Sequence, residues 1–246
     1  MNPVETEDLL ETTLAIAGHQ IHVRLDRRSS ARPLLLLNGL TRPLERWDPL
    51  VGALSSRTII RFDPPGIGAS PAPLLPLSIP TLAEIAGGVL DLAEAPVADV
   101  LGYSHGGAVA QQLCHTAPER VGALVLASTT CGIGSAMGGI EMLATMFRQE
   151  RPGEGSSTPT EPMAILYRSL ALACWTSIPF LGSISAPTLV LSGDRDRLVP
   201  PVNSRILANR IRTAELTTLA AGHDLQHPRC TPELAALVGD FLDAHA

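Results

Sequence analysis

Short apolar runs alternate with helical periodicities from about residue 34 onward. Leu34 to Leu37 ends at Asn38-Gly39, and Thr58 to Phe62 ends at Asp63-Pro64-Pro65-Gly66. Apolar runs closed by turn residues predict strands buried on both faces, as inside parallel sheets. Val97 to Leu101, Ala123 to Ala127, Thr188 to Leu191 and Ala214 to Leu219 continue the set. Ahead of them, Thr12 to Ile16 and Gln20 to Leu25, joined around Gly18, predict a hairpin on the sheet edge. Thr81 with Glu84 three residues on fits a capping box opening a helix to about Glu94, and Thr231-Pro232 opens a C-terminal helix through Phe241. Strands alternating with helices predict an α/β fold, a mostly parallel central sheet with helices on both faces.

The alternation stops between Ser128 and Ala186. Two apolar helical patterns, Ser135 to Arg148 and Glu161 to Trp175, flank the polar stretch Gln149 to Thr160. The expectation is a short helical lid over residues 131–183, inserted after the sixth strand into a core made of residues 1–130 and 184–246.

Composition narrows the function classes. Hydrophobic residues make up 45% and charged residues 17%, which excludes a disordered chain. Net charge is -6 with no basic run, so nucleic acid is not expected as a partner. All 18 basic residues are arginines, which removes Schiff-base chemistry and the lysine of a phosphate-binding loop. Cys114, Cys131, Cys174 and Cys230 stand far apart, without the spacing of a zinc knuckle or redox pair. No cofactor or metal is implied. Met1 to Glu11 carries four acids and no base, unlike a secretory signal, and no apolar stretch approaches the ~20 residues of a membrane span. The expected location is cytoplasmic.

Gly102-Tyr103-Ser104-His105-Gly106 directly follows the strand Val97 to Leu101 and precedes a helical pattern. A G-x-S-x-G in that position puts serine on a cramped strand-to-helix turn, with the hydroxyl pointing outward. A serine hydroxyl needs a base within hydrogen-bond reach and a carboxylate to orient that base. Asp196, beyond the turn glycine Gly193 and ahead of Pro200, is the expected acid, with Asp194 as the alternative. His223, following Gly222 soon after the last strand, is the expected base; His227 lies nearby. The backbone N–H groups of Leu40 and His105 are the candidate oxyanion donors, with Gly39 permitting the turn. Met137, Met142, Met146 and Met163 fall in the insert, and thioethers adapt to irregular apolar shapes. Asn38, Gly39, Met137, Met142, Met146 and Trp175 are therefore candidates for the substrate pocket; plain core packing is the other role open to the methionines. Asp63-Pro64-Pro65-Gly66-Ile67-Gly68 lacks the third glycine of a dinucleotide fingerprint and reads as a structural loop beside the site.

In this order the motifs resemble those of the α/β-hydrolase superfamily over nearly the whole chain. Within it the chain is most similar to the intracellular poly(3-hydroxyalkanoate) depolymerase group. The similarity is carried by Leu37-Asn38-Gly39, Phe62 to Gly68, Gly106-Gly107-Ala108 with Ala110-Gln111-Gln112, Trp175-Thr176-Ser177-Ile178, and Pro187 to Leu191 before Gly193-Asp194. The resemblance implies an α/β-hydrolase fold. It also implies a serine hydrolase that cleaves a small-molecule aliphatic carboxylic ester or thioester, 3-hydroxyacyl esters included, through an acyl-enzyme on Ser104. His105 stands where that group carries a bulkier aromatic, and the insert is shorter than theirs. Acyl transfer, cyclisation or perhydrolysis by the same triad stay open, as does a non-catalytic receptor on this fold.

Overall fold

The computed structural model describes residues 4–6, 9–28, 31–136 and 162–246. Among these, nine strands form one sheet: β1 (Val4–Thr6), β2 (Leu9–Ile16), β3 (His19–Asp26), β4 (Leu34–Leu37), β5 (Ile59–Asp63), β6 (Ala98–Tyr103), β7 (Val121–Ala127), β8 (Thr188–Gly193) and β9 (Ala214–Leu219). Their spatial order is β1-β2-β3-β5-β4-β6-β7-β8-β9. Pairings from β5 through β9 are parallel, while β1, β2 and β3 are antiparallel to their neighbours. The chain therefore has the α/β-hydrolase architecture.

The apolar runs bury both faces, as parallel strands between helices must. Leu35, Leu37, Val100, Leu124, Leu126 and Val190 turn toward α2 (Ile79–Leu92) and α3 (His105–Thr116). Alternate residues Leu34, Leu36, Leu101, Val125, Leu189 and Leu191 pack on the other face with α1 (Asp48–Ala53) and α6 (Thr231–Ala244). Each such leucine, fully buried, contributes roughly 2 kcal/mol.

Three details differ from the sequence expectation. The hairpin pairs Ile16 with His19 across Ala17-Gly18 as foreseen, but β1 adds a further edge strand. The insert consequently follows the seventh strand in chain order. Helix α2 is capped by Ser78, whose hydroxyl accepts the Thr81 N–H at 3.2 Å, and not by Thr81. Pro80 in the first turn is what fixes that start, because a missing N–H costs nothing there. Cys230, not Thr231, stands at the N-cap of α6 and provides no side-chain cap.

Of the expected lid, the described residues include the two ends. Gly132 bridges Thr176, and α4 (Pro162–Ala173) covers most of the second apolar pattern. The first pattern falls largely outside the described residues, and so do Met137, Met142 and Met146. The helix α5 (Val202–Arg210) follows β8.

Candidate active site

Ser104 sits between β6 and α3 with φ 52° and ψ −116°, a conformation that non-glycine residues avoid at a cost of about 1–3 kcal/mol. The surroundings hold it there. Ser104 N–H donates to the Ala127 carbonyl at 2.9 Å, and the Ser104 carbonyl accepts from Gly107 N–H at 3.0 Å and Thr129 Oγ1 at 2.6 Å. The flanking glycines allow the crossing. A Cβ on Gly102 would lie 2.6 Å from the Gly106 oxygen and from the Gly107 Cα, and one on Gly106 would run into the Leu37 carbonyl.

Side chains from three separate strand ends meet at this turn. His223 Nε2 is 3.1 Å from Ser104 Oγ, and His223 Nδ1 is 2.8 Å from Asp196 Oδ2. The other oxygen of Asp196 accepts the N–H groups of Leu198 at 2.9 Å and Val199 at 2.8 Å. With Oδ1 so engaged and the side chain fully buried, Oδ2 is the oxygen left for the imidazole. Asp194 is exposed and lies against its neighbour Arg195, and exposed His227 accepts from Arg229 N–H.

The loop after β4 faces the same point. A Cβ on Gly39 would fall 3.6 Å from Ser104 Cβ and 3.1 Å from the Tyr103 ring, so a side chain there would ask the ring to give by a few tenths of an ångström. Leu40 follows, half-buried, in the turn. His105 opens α3, and its N–H belongs to the orphan donors of that helix end. Asn38 spends both ends of its amide within the protein, donating to the Pro43 carbonyl at 2.6 Å and accepting from Gln226 Nε2 at 2.7 Å. Trp175 is buried with its Nε1 donating to Gln112 Oε1 at 2.8 Å, so its polar atom too is engaged in the core.

Several groups support the site through partners that no sequence motif announces. Tyr103 donates its hydroxyl to the His223 carbonyl at 3.0 Å; burial raises its pKa above the ordinary phenol value and keeps it a neutral donor. Arg42 donates to Asp224 at 2.6 Å, tying the β4 loop to the residue beside His223. Asp63 accepts the Leu44 and Ala69 N–H groups, each at 2.8 Å, which staples the β4 loop to the Pro-Gly turn; burial pushes its carboxyl up to about 6. Arg168, buried on α4, donates to the Gly39 carbonyl at 3.1 Å and lies 3.1 Å from His105 Nδ1. The signal for Arg168 was present, since it is the lone charge in an apolar helical run.

No cluster of His, Cys, Asp or Glu able to hold a metal occurs among the described residues, and none of their helices is long and apolar enough to cross a membrane. A surface hollow of about 770 Å³ beside Arg28, Arg32 and Pro96 lies at the opposite ends of the strands.

Residues 32–152 match the family model of the alpha/beta hydrolase fold. The chain is 36% identical to a poly(3-hydroxyalkanoate) depolymerase of Ectopseudomonas oleovorans, over 78% of this chain and 77% of that protein. It is 27% identical to a 3-oxoadipate enol-lactonase of Acinetobacter baylyi, over 78% and 82% of the two chains. Among solved structures, the enol-lactonase from Burkholderia xenovorans superposes with a TM-score of 0.81 at 26% identity, over 94% of this chain and 100% of that one.

Proposed function

This chain belongs to the alpha/beta hydrolase fold family, and from that membership we propose that it cleaves aliphatic carboxylic esters or thioesters through an acyl-enzyme on Ser104. One observation carries the proposal: the unbroken hydrogen-bonded line from Asp196 through His223 to Ser104.

The chemistry follows from that line. Ser104 Oγ attacks the acyl carbon while its proton passes to His223 Nε2. Asp196 holds Nδ1–H, fixes the tautomer and stabilises the imidazolium. The Leu40 and His105 N–H groups receive the developing oxyanion, and donors of this kind are worth about 3 kcal/mol each. When the tetrahedral intermediate collapses, the carbon–oxygen or carbon–sulfur bond breaks and His223 gives its proton to the departing alcohol or thiol. Water, deprotonated by His223, then attacks the acyl-enzyme; the acid leaves and Ser104 regains its proton. Asn38, through Pro43 and Gln226, holds the loop that presents Leu40.

A 3-hydroxyacyl ester is the substrate we favour, because the 36% identical relative is named for a poly(3-hydroxyalkanoate). The insert between β7 and β8 is the segment we assign to gripping the acyl chain; Met137, Met142 and Met146 lie outside the described residues.

The test is covalent labelling with a fluorophosphonate probe, combined with turnover of p-nitrophenyl butyrate. Wild-type protein is expected to carry the probe on Ser104 and to release p-nitrophenol. Ser104→Ala should lose labelling and at least ~10³-fold in kcat. Labelling or turnover that survives in Ser104→Ala overturns the proposal.

A further inference from the structure

We infer that Arg168 is the positioning residue of the oxyanion hole: from α4 it grips the Gly39 carbonyl and the His105 ring, and thereby orients and polarises the Leu40 and His105 N–H groups. This role rests on the ester-hydrolase function proposed above.

The geometry of a peptide carries the first half. The Gly39 carbonyl and the Leu40 N–H belong to one planar unit, pointing in opposite directions. A donor that pins the oxygen therefore fixes where the hydrogen points. Because the donor is charged, it also draws electron density through the amide and strengthens the N–H on the far side.

The chemistry of arginine carries the second half. A guanidinium only donates, so His105 Nδ1 is the acceptor and the ring proton sits on Nε2. Burial, with the Arg168 charge adding to it, holds His105 far below its usual pKa, so the ring stays neutral. It cannot serve as a second base. It acts as a strut between Arg168 and the first turn of α3, whose leading N–H is the other oxyanion donor.

The unsatisfied atoms argue against a role in folding alone. Arg168 Nε and Nη1 and His105 Nε2 are buried and find no hydrogen-bond partner among the described residues. Among the described residues, no carboxylate forms an ion pair with Arg168, although the charge of Asp63 is felt there. Burial lowers the guanidinium to about 9, which leaves it cationic at neutral pH. An unpaired buried cation lowers stability, and an apolar side chain of similar volume would suit the fold better. Buried against His105 beside Ser104, however, a fixed positive charge also favours the negative charge of the transition state.

Arg168→Met and Arg168→Lys separate these roles. The measurements are melting temperature, steady-state kinetics on p-nitrophenyl butyrate, and the inhibition constant of a trifluoromethyl ketone, whose serine adduct carries an oxyanion. The methionine variant should melt at or above the wild-type temperature. Its kcat should fall ~10–100-fold, less than the loss of a direct oxyanion donor at its most severe, with KM changed less than about two-fold. The ketone should weaken by a similar factor. Both contacts leave from one nitrogen, Nη2, and lysine keeps a charged nitrogen with several protons, though on a shorter side chain, so the same two quantities should fall by less. If the methionine variant fails to fold, the lysine variant decides by the same correlation. A folded variant with unchanged kcat and unchanged ketone affinity overturns the inference. So does a loss confined to KM for carboxylate-bearing esters, which would make Arg168 an anchor for a substrate anion. Absence of Ser104 labelling in wild-type protein would instead sink the ester-hydrolase function itself.

Discussion

Gly102→Ala tests whether the close crossing of β6 and α3 sets the position of Ser104, the proposed nucleophile. The added methyl would meet the Gly106 oxygen and the Gly107 Cα at 2.6 Å and the Ala110 Cβ at 2.8 Å. Comfortable contact begins near 3.5 Å, so α3 must withdraw by roughly 1 Å. Strand β6 cannot yield instead, because β4 and β7 hold it on both sides. Overpacking of this kind costs about 1–3 kcal/mol, and the stiffer unfolded chain returns about 0.5–1 kcal/mol of it. The net loss, up to about 2.5 kcal/mol, corresponds to a fall in melting temperature of up to roughly 10 °C for a chain of this size. Catalysis should suffer more. Ser104 and the His105 N–H ride on the retreating helix while His223 and Leu40 stay behind, and a misplacement of ~1 Å can cost ~10²-fold. Gly87→Ala in α2 is the matched control, since nothing lies within 4 Å of its new methyl. It should leave kcat/KM unchanged and add up to ~1 kcal/mol. The assays are kcat/KM on p-nitrophenyl butyrate and thermal unfolding of both variants. A Gly102→Ala protein with kcat/KM within about three-fold of wild type would refute the link between crossing distance and nucleophile placement.

Two further outcomes are expected. Tyr103→Phe removes the donor to the His223 carbonyl; it should lower stability by about 1 kcal/mol and kcat/KM by a few-fold, and an unchanged melting temperature would count against that bond. The raised pKa of Asp63 predicts a pH effect: the folded carboxyl titrates near 6 and the unfolded one near 4, so the native state holds the extra proton between them. Stability from this group is present at pH 4 and is lost as pH rises through 6, by something on the order of 3 kcal/mol. Urea titrations of wild type and Asp63→Asn should show their difference moving against wild type across that window; a flat or opposite trend argues that the carboxyl is not raised.

The sheet was legible because its inner strands are apolar on consecutive residues, and few other structures bury Leu34 to Leu37 whole. The hairpin was legible from Gly18. Strand β1 was not, since three residues of mixed polarity carry no periodicity. The α2 start was misread because Thr81-x-x-Glu84 imitates a capping box, while the stronger signal was the proline at position 80. At the site, glycine punctuation singled out residues 104, 196 and 223 without any knowledge of how the strands are ordered. The partners of Asp63, Tyr103, Asp224 and Arg168 were not legible for the opposite reason: the Pro-Gly turn and the lone charge of α4 stand out, but each residue acts through a partner distant in sequence, which neither spacing nor residue type announces.

The insert enters between β7 and β8, a stretch of chain that contains none of Ser104, Asp196 and His223. Under the function proposed above, substrate preference and bond-breaking lie in separable passages, and descendants of this chain can trade one while inheriting the other. Arg168 makes the trade conditional. A replacement segment arriving without a guanidinium to thread beneath Gly39 would leave the borrowed machinery intact in sequence yet slack in operation, until compensating changes took up the play.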